Sequence, residues 1–125
     1  MKPIDVNAAE FDSQIGTEGI VLVDFWASWC RPCRMFAPIF QAAAEKHSDI
    51  KFLKVNTDVE QELAGAAQIT SIPTLMAFRD GILVFREAGA LPGPQFEQLI
   101  QGIRGLDMEE VRKELVKHAG DNTNN

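Results

Sequence analysis

Both cysteines of the chain lie in one short stretch, Trp29-Cys30-Arg31-Pro32-Cys33, two residues apart and directly after an apolar run. Two thiols at that spacing can close a disulfide and reopen it, so a redox dithiol is the leading chemistry. The bland readings are a structural pair, or half of a metal site shared by two chains. Exchange needs a thiolate, which a helix N-terminus stabilises through its unpaired N–H groups and its dipole. Cys30 stands just ahead of a helix that Pro32 can open, which makes it the natural attacking nucleophile. Cys33, one turn in, is expected to be more buried and protonated, as suits a thiol that resolves a mixed disulfide.

Composition limits what else the chain can be. Its 125 residues, 46% hydrophobic, suffice for one core and not for two. Cys30, Cys33, His47 and His118 are too few for a four-ligand zinc site to be expected. Both histidines are expected on exposed helical stretches, without a role. Residues Met1 to Val6 hold no apolar signal segment and no run approaches membrane-spanning length, so a soluble cytoplasmic protein is expected, with no membrane partner. The net charge of −6 argues against nucleic acid or an anionic membrane as a partner. With no G-x-G-x-x-G and no phosphate loop, no bound cofactor is expected.

The elements that would hold the dithiol alternate between strand and helix periods. Asn7 and Glu10 have capping-box spacing for a short helix with Phe11 and Ile15 inward. Ile20 to Trp26 is a nearly continuous apolar run, the mark of a central strand buried on both faces. From Pro32, residues Met35, Phe36, Ile39, Phe40 and Ala43 recur at helical spacing to about Lys46, with Pro38 expected to kink the helix. Lys51 to Asn56 is a strand and Glu60 to Ala67 a helix. Thr74 to Arg79 and Ile82 to Ala88 read as a hairpin around Asp80-Gly81, and Pro94 to about Arg104 as an amphipathic helix. The order β-α-β-α-β-α-β-β-α predicts a three-layer α/β/α fold with a central mixed sheet. After it, Asp107 can cap an extra C-terminal helix carrying Val111, Leu115 and Val116. The expected division is a domain over 1–105, a helical extension over 106–120 and a disordered tail over 121–125.

One residue is out of place on composition alone. Asp24 sits in the middle of the apolar run, where an ionised carboxylate is costly, so burial should raise its pKa. Such misfits gather at functional sites, although an exposed strand-end Asp would be harmless.

Taken in order, Val23-Asp24-Phe25-Trp26-Ala27, Trp29-Cys30-x-Pro32-Cys33, Pro38, Lys54-x-Asn56-x-Asp58, Ile72-Pro73-Thr74, Gly81 and Gly89-Ala90 resemble the thioredoxin family over about residues 4–104. Two features depart from it: Arg31 stands where the family usually has Gly, and the helix after Gly105 runs past the usual C-terminus. The resemblance implies a thioredoxin fold and a monomeric protein-disulfide reductase. Its substrates would be disulfide-bearing proteins and its electron donor a thioredoxin reductase. It also gives Asp24 the task of moving a proton to and from Cys33, and places Lys54 near Asp24, although a strand lysine is ordinarily just solvated. A cis Ile72-Pro73 bond is implied where the general preference is trans. Trp29, Arg31, Pro32, Ile72, Pro73, Gly89 and Ala90 would meet the substrate segment, and Trp26 would be mostly core. Arg31 also keeps open a more oxidising oxidase or isomerase relative. The extra helix leaves a non-catalytic binding or chaperone subunit as a further alternative.

Overall fold

Strand β2 (Ile20–Trp26) is the centre of the molecule, because a run apolar at nearly every position must be covered on both faces. In the computed structural model, which describes residues 2–123, all of Ile20 to Phe25 are buried. Around it lie β1 (Ile4–Asp5), β3 (Lys51–Asn56), β4 (Thr74–Arg79) and β5 (Ile82–Ala88) in the sheet order β1-β3-β2-β4-β5. The β1–β3 and β3–β2 pairs are parallel, whereas β2–β4 and β4–β5 are antiparallel. The expected mixed sheet ending in a hairpin is therefore present.

Alternation along β2 divides the core. Ile20 and Leu22 face α2 (Arg31–Lys46) and α4 (Gly93–Arg104), packing with Phe36, Phe40, Phe96, Ile100 and Ile103. Val21, Val23 and Phe25 face α1 (Ala8–Ile15) and α3 (Gln61–Ala66), with Phe11, Leu53, Val55 and Met76 in the same cluster. Each fully buried Leu or Phe of this kind contributes about 1.5–3 kcal/mol by leaving water. Asp24 belongs by alternation to the α2/α4 face, two residues beyond Leu22.

Local signals explain the element ends. Asn7 and Glu10 make the reciprocal capping box, with both backbone-to-side-chain bonds formed. In the β4–β5 turn Asp80 and Gly81 have φ of 53° and 82°, the two left-handed residues that a tight hairpin of this hand requires. Asp80 also joins the Gly19 backbone in both directions, accepting from its N–H at 2.8 Å and donating to its carbonyl at 2.9 Å. Pro38 lies inside α2. A fifth helix, α5 (Met108–Thr123), follows Leu106, with the Asp107 carboxylate accepting from the Glu109 and Glu110 N–H groups. It extends past Gly120, where a disordered tail was expected; residues 124 and 125 and the His118 side chain lie outside the described part. Arg79 fastens the junction by donating to the carbonyls of Ile103, Arg104 and Leu106.

One surface expectation is corrected. His47 is buried, at 7% exposure, because the end of α4 packs over the end of α2. Its Nδ1 accepts from Arg104 at 3.0 Å, so Nε2 carries the proton and donates to Glu97 at 2.7 Å.

Candidate active site: a dithiol at a helix N-terminus

Cys30 is the N-cap of α2 and Arg31 its first helical residue, so Pro32 stands second rather than first. The cap is the cysteine sulfur itself: the Cys33 N–H donates to Cys30 Sγ at 3.3 Å. A group that accepts a backbone N–H at the positive end of a helix is better stabilised as a thiolate than as a thiol. Cys30 and Cys33 are joined as a disulfide with their Cα atoms 5.3 Å apart. Both are buried, Cys33 slightly more so, in a small cluster with Ala27, Trp26 and Ile72.

Beside the dithiol lies a groove of about 480 Å³ lined by Trp29, Cys30, Arg31, Pro32 and Ile72 among others. The Ile72-Pro73 bond is cis, and Ile72 O lies 3.7 Å from Cys30 Sγ. Gly89, with φ of 111°, donates its N–H to the Pro73 carbonyl at 2.8 Å, which ties Gly89 to the cis proline. Its left-handed backbone is one that a side chain would strain. Of the residues expected to meet a substrate segment, Pro73 is fully buried and Gly89 and Ala90 are exposed, and none of these three lines the groove. Thr57, Ala64, Ile69, Thr70 and Ser71 complete the lining and carried no motif that would single them out.

Trp29 is 68% exposed, unusual for so large an apolar ring. Its indole Nε1–H donates to both oxygens of Asp58, at 3.0 and 3.3 Å. Asp58 belongs to the resemblance with no role assigned; its position in the turn two residues past the end of β3 is what brings it to a tryptophan 29 positions earlier.

Asp24 is 1% exposed, and neither of its oxygens has a hydrogen-bond partner among the described residues. Burial pushes its carboxyl up to about 7, against a smaller downward pull from Lys54. The two are direct partners in the β2–β3 register. Lys54 Nζ lies over the Trp26 ring, 4.6 Å from its centroid. Trp26 is half-buried, its Nε1 without a partner among the described residues, and it packs against the cysteine cluster, so it links the Asp24 face of β2 to the dithiol. Lys54 thus belongs with Asp24 under the site and not with the groove.

A disulfide-forming cysteine pair at the start of a helix, set over a mixed sheet with a buried carboxylate in its central strand, defines a thiol-disulfide oxidoreductase. The thioredoxin family model matches residues 2–102. A relative from Streptomyces coelicolor is 43% identical over 114 residues, spanning 91% of this chain and 85% of that protein. Thioredoxin 1 of Synechococcus elongatus is 48% identical over 89 residues, spanning 70% and 83%. Among solved structures, a Halobacterium salinarum thioredoxin mutant superposes with a TM-score of 0.77 at 33% identity, over 85% of this chain and 94% of that one. The chain belongs to the thioredoxin family. Among the described residues no helix is long and apolar enough to cross a membrane.

Proposed function

We propose that the protein reduces protein disulfides by dithiol exchange, with Cys30 as nucleophile and Cys33 as resolving thiol. The observation that carries this is the Cys33 N–H aimed at Cys30 Sγ from the first turn of α2. In the reduced protein the Cys30 thiolate attacks one sulfur of a substrate disulfide. That bond breaks as the Cys30–substrate bond forms, and the displaced substrate thiolate takes up a proton. Cys33 then gives its proton to Asp24 and attacks Cys30 Sγ, releasing the second substrate thiolate, which takes up a proton from solvent as Asp24 returns its own to solvent. The substrate gains two electrons and two protons, and the Cys30–Cys33 disulfide is left.

Asp24 suits the relay because a carboxyl with a pKa of about 7 exchanges protons readily near neutral pH. Lys54 moderates it, keeping the carboxyl from rising further. The substrate segment lies extended against Trp29, Pro32 and Ile72, pairing with the Ile72 backbone next to Cys30, which the buried Pro73 holds in place. A thioredoxin reductase returns the two electrons, and a reducing compartment such as the cytoplasm keeps the dithiol charged.

The test is reduction of a protein disulfide with dithiothreitol as electron source. Wild type should turn over and Cys30→Ser should be inactive. A Cys30→Ser variant keeping more than a few per cent of the rate overturns the nucleophile assignment. If the chain acted instead as a non-catalytic binding subunit, its partner binding would survive that substitution.

A further inference from the structure

Arg31 has no explanation in the stability of the fold. It is exposed at the first position of α2, where the dipole favours a carboxylate, and the first turn of that helix holds no acidic residue. Among the described residues its side chain makes no hydrogen bond or ion pair. Arg34, one turn further, is occupied with the Ser28 carbonyl at 3.0 Å, and the Asp58 carboxylate is occupied with Trp29. Arg31 is the one charged residue among those lining the groove beside Cys30. It is a positive point on a chain whose net charge is −6.

Resting on the reductase reading above, we propose that Arg31 is a specificity-determining residue, selecting disulfides flanked by an acidic side chain. An extended segment whose cysteine is attacked by Cys30 has to pass along the groove that Arg31 lines, so a Glu or Asp next to that cysteine meets the unpaired guanidinium. A Lys in the same place meets a like charge. The guanidinium can hold a carboxylate by two parallel N–H bonds, which a lysine cannot reproduce. Selection acts on the approach and the mixed disulfide, before Cys33 resolves it.

The test uses the full chain and three disulfide-bridged peptides differing only in Glu, Gln or Lys beside the attacked cysteine, each rate divided by that peptide's rate with dithiothreitol alone. An exposed ion pair supports a few-fold effect, so wild type should favour the Glu peptide over the Lys peptide by about threefold in kcat/KM at low salt. The preference should shrink in 0.5 M salt, where the screening length is only a few ångströms. Arg31→Gln should bring the Glu-to-Lys ratio down about threefold, to near one, Arg31→Glu should invert it, and Arg31→Lys should restore part of it. An effect of Arg31 on the Cys30 thiolate alone would scale all three peptides equally and leave the ratio unmoved. Equal ratios in wild type and Arg31→Gln overturn the proposal while leaving the reductase reading intact; failure of wild type to reduce any of the peptides overturns both.

Discussion

Asp24 and Lys54 stand opposite each other in the β2–β3 pairing, yet the lysine reaches over the Trp26 ring and the carboxylate is left without a hydrogen bond among the described residues. The charge of Lys54 is thus felt by Asp24 only through space, too weakly to undo desolvation, and the carboxyl titrates at about 7.

A folded-state pKa above the unfolded value of 3.8 sets the sign of the stability effect. Between about pH 4 and 7 the unfolded chain has released a proton that the folded chain keeps, so stability falls as pH rises through that window and levels off above it. Asp24→Asn removes the penalty. It should stabilise the protein by roughly 2–4 kcal/mol at pH 8 and hardly at all at pH 3.5, as measured by denaturant unfolding. The same variant should slow resolution by Cys33 and abolish a rate inflection near pH 7. A loss of stability at pH 8 with an unchanged rate would remove Asp24 from the mechanism.

Much of this site was legible because its signals are local. The C-x-x-C spacing, the Asn7 capping box, the apolar Ile20 to Trp26 run and the Asp80-Gly81 turn each act within a few residues, so the chain order alone displays them. Asp24 was visible as a misfit inside that run. What escaped depends on contacts between distant segments. Trp29 finds Asp58 across 29 positions, and His47 finds Glu97 and Arg104 across 50 and 57. Helical spacing at His47 matched an exposed position because nothing local announces that α4 will cover it.

That cluster gives a prediction away from the dithiol. Glu97 is held down at about 2, first by the hydrogen bond from His47, and Asp49 at about 2, first by the hydrogen bond from Arg104. Depressed carboxyl pKa values add stability that is complete above the unfolded range near 4.5 and drains away as pH falls toward 2. Glu97 is partly exposed and Asp49 largely so, so the effect should be modest and weaker in salt. His47→Ala strips a buried partner from Glu97 and Arg104 and should cost roughly 1–3 kcal/mol in unfolding experiments, with disulfide reduction unaffected. A slower reaction in a stably folded His47→Ala would tie the cluster to the site.

Arg31 also bears on the potential of the dithiol. Thioredoxins as a class lie near −270 mV, and the strong oxidant of related fold near −120 mV, which is about 7 kcal/mol away. A unit charge about 7 Å from the thiolate at an effective dielectric of about 40–80 supplies only about 0.6–1.2 kcal/mol before screening. Arg31→Gly should therefore lower the potential by about 10–25 mV in equilibrium titration. A wild-type value above about −200 mV would favour the oxidase or isomerase alternative over the reductase.

The C-terminal helix can be tested by truncation. Met108 is buried and Leu106 packs on the main core, whereas Leu115 and Val116 are largely exposed. Ending the chain after Glu109 should preserve cooperative unfolding and disulfide reduction. Ending it after Leu106 should cost about 1–3 kcal/mol more, by uncovering the Met108 site. Loss of cooperative folding in the longer truncation would move the domain boundary into α5.

The assignment of the two thiols is tested most directly by trapping. Cys33→Ser, reduced and mixed with a disulfide-bearing protein, should accumulate a one-to-one mixed disulfide, and mass mapping should place the bond at Cys30. Attack still occurs in this variant while resolution cannot. No adduct, or an equal yield of adduct through Cys33 in the Cys30→Ser variant, would contradict the division of labour between nucleophile and resolving thiol.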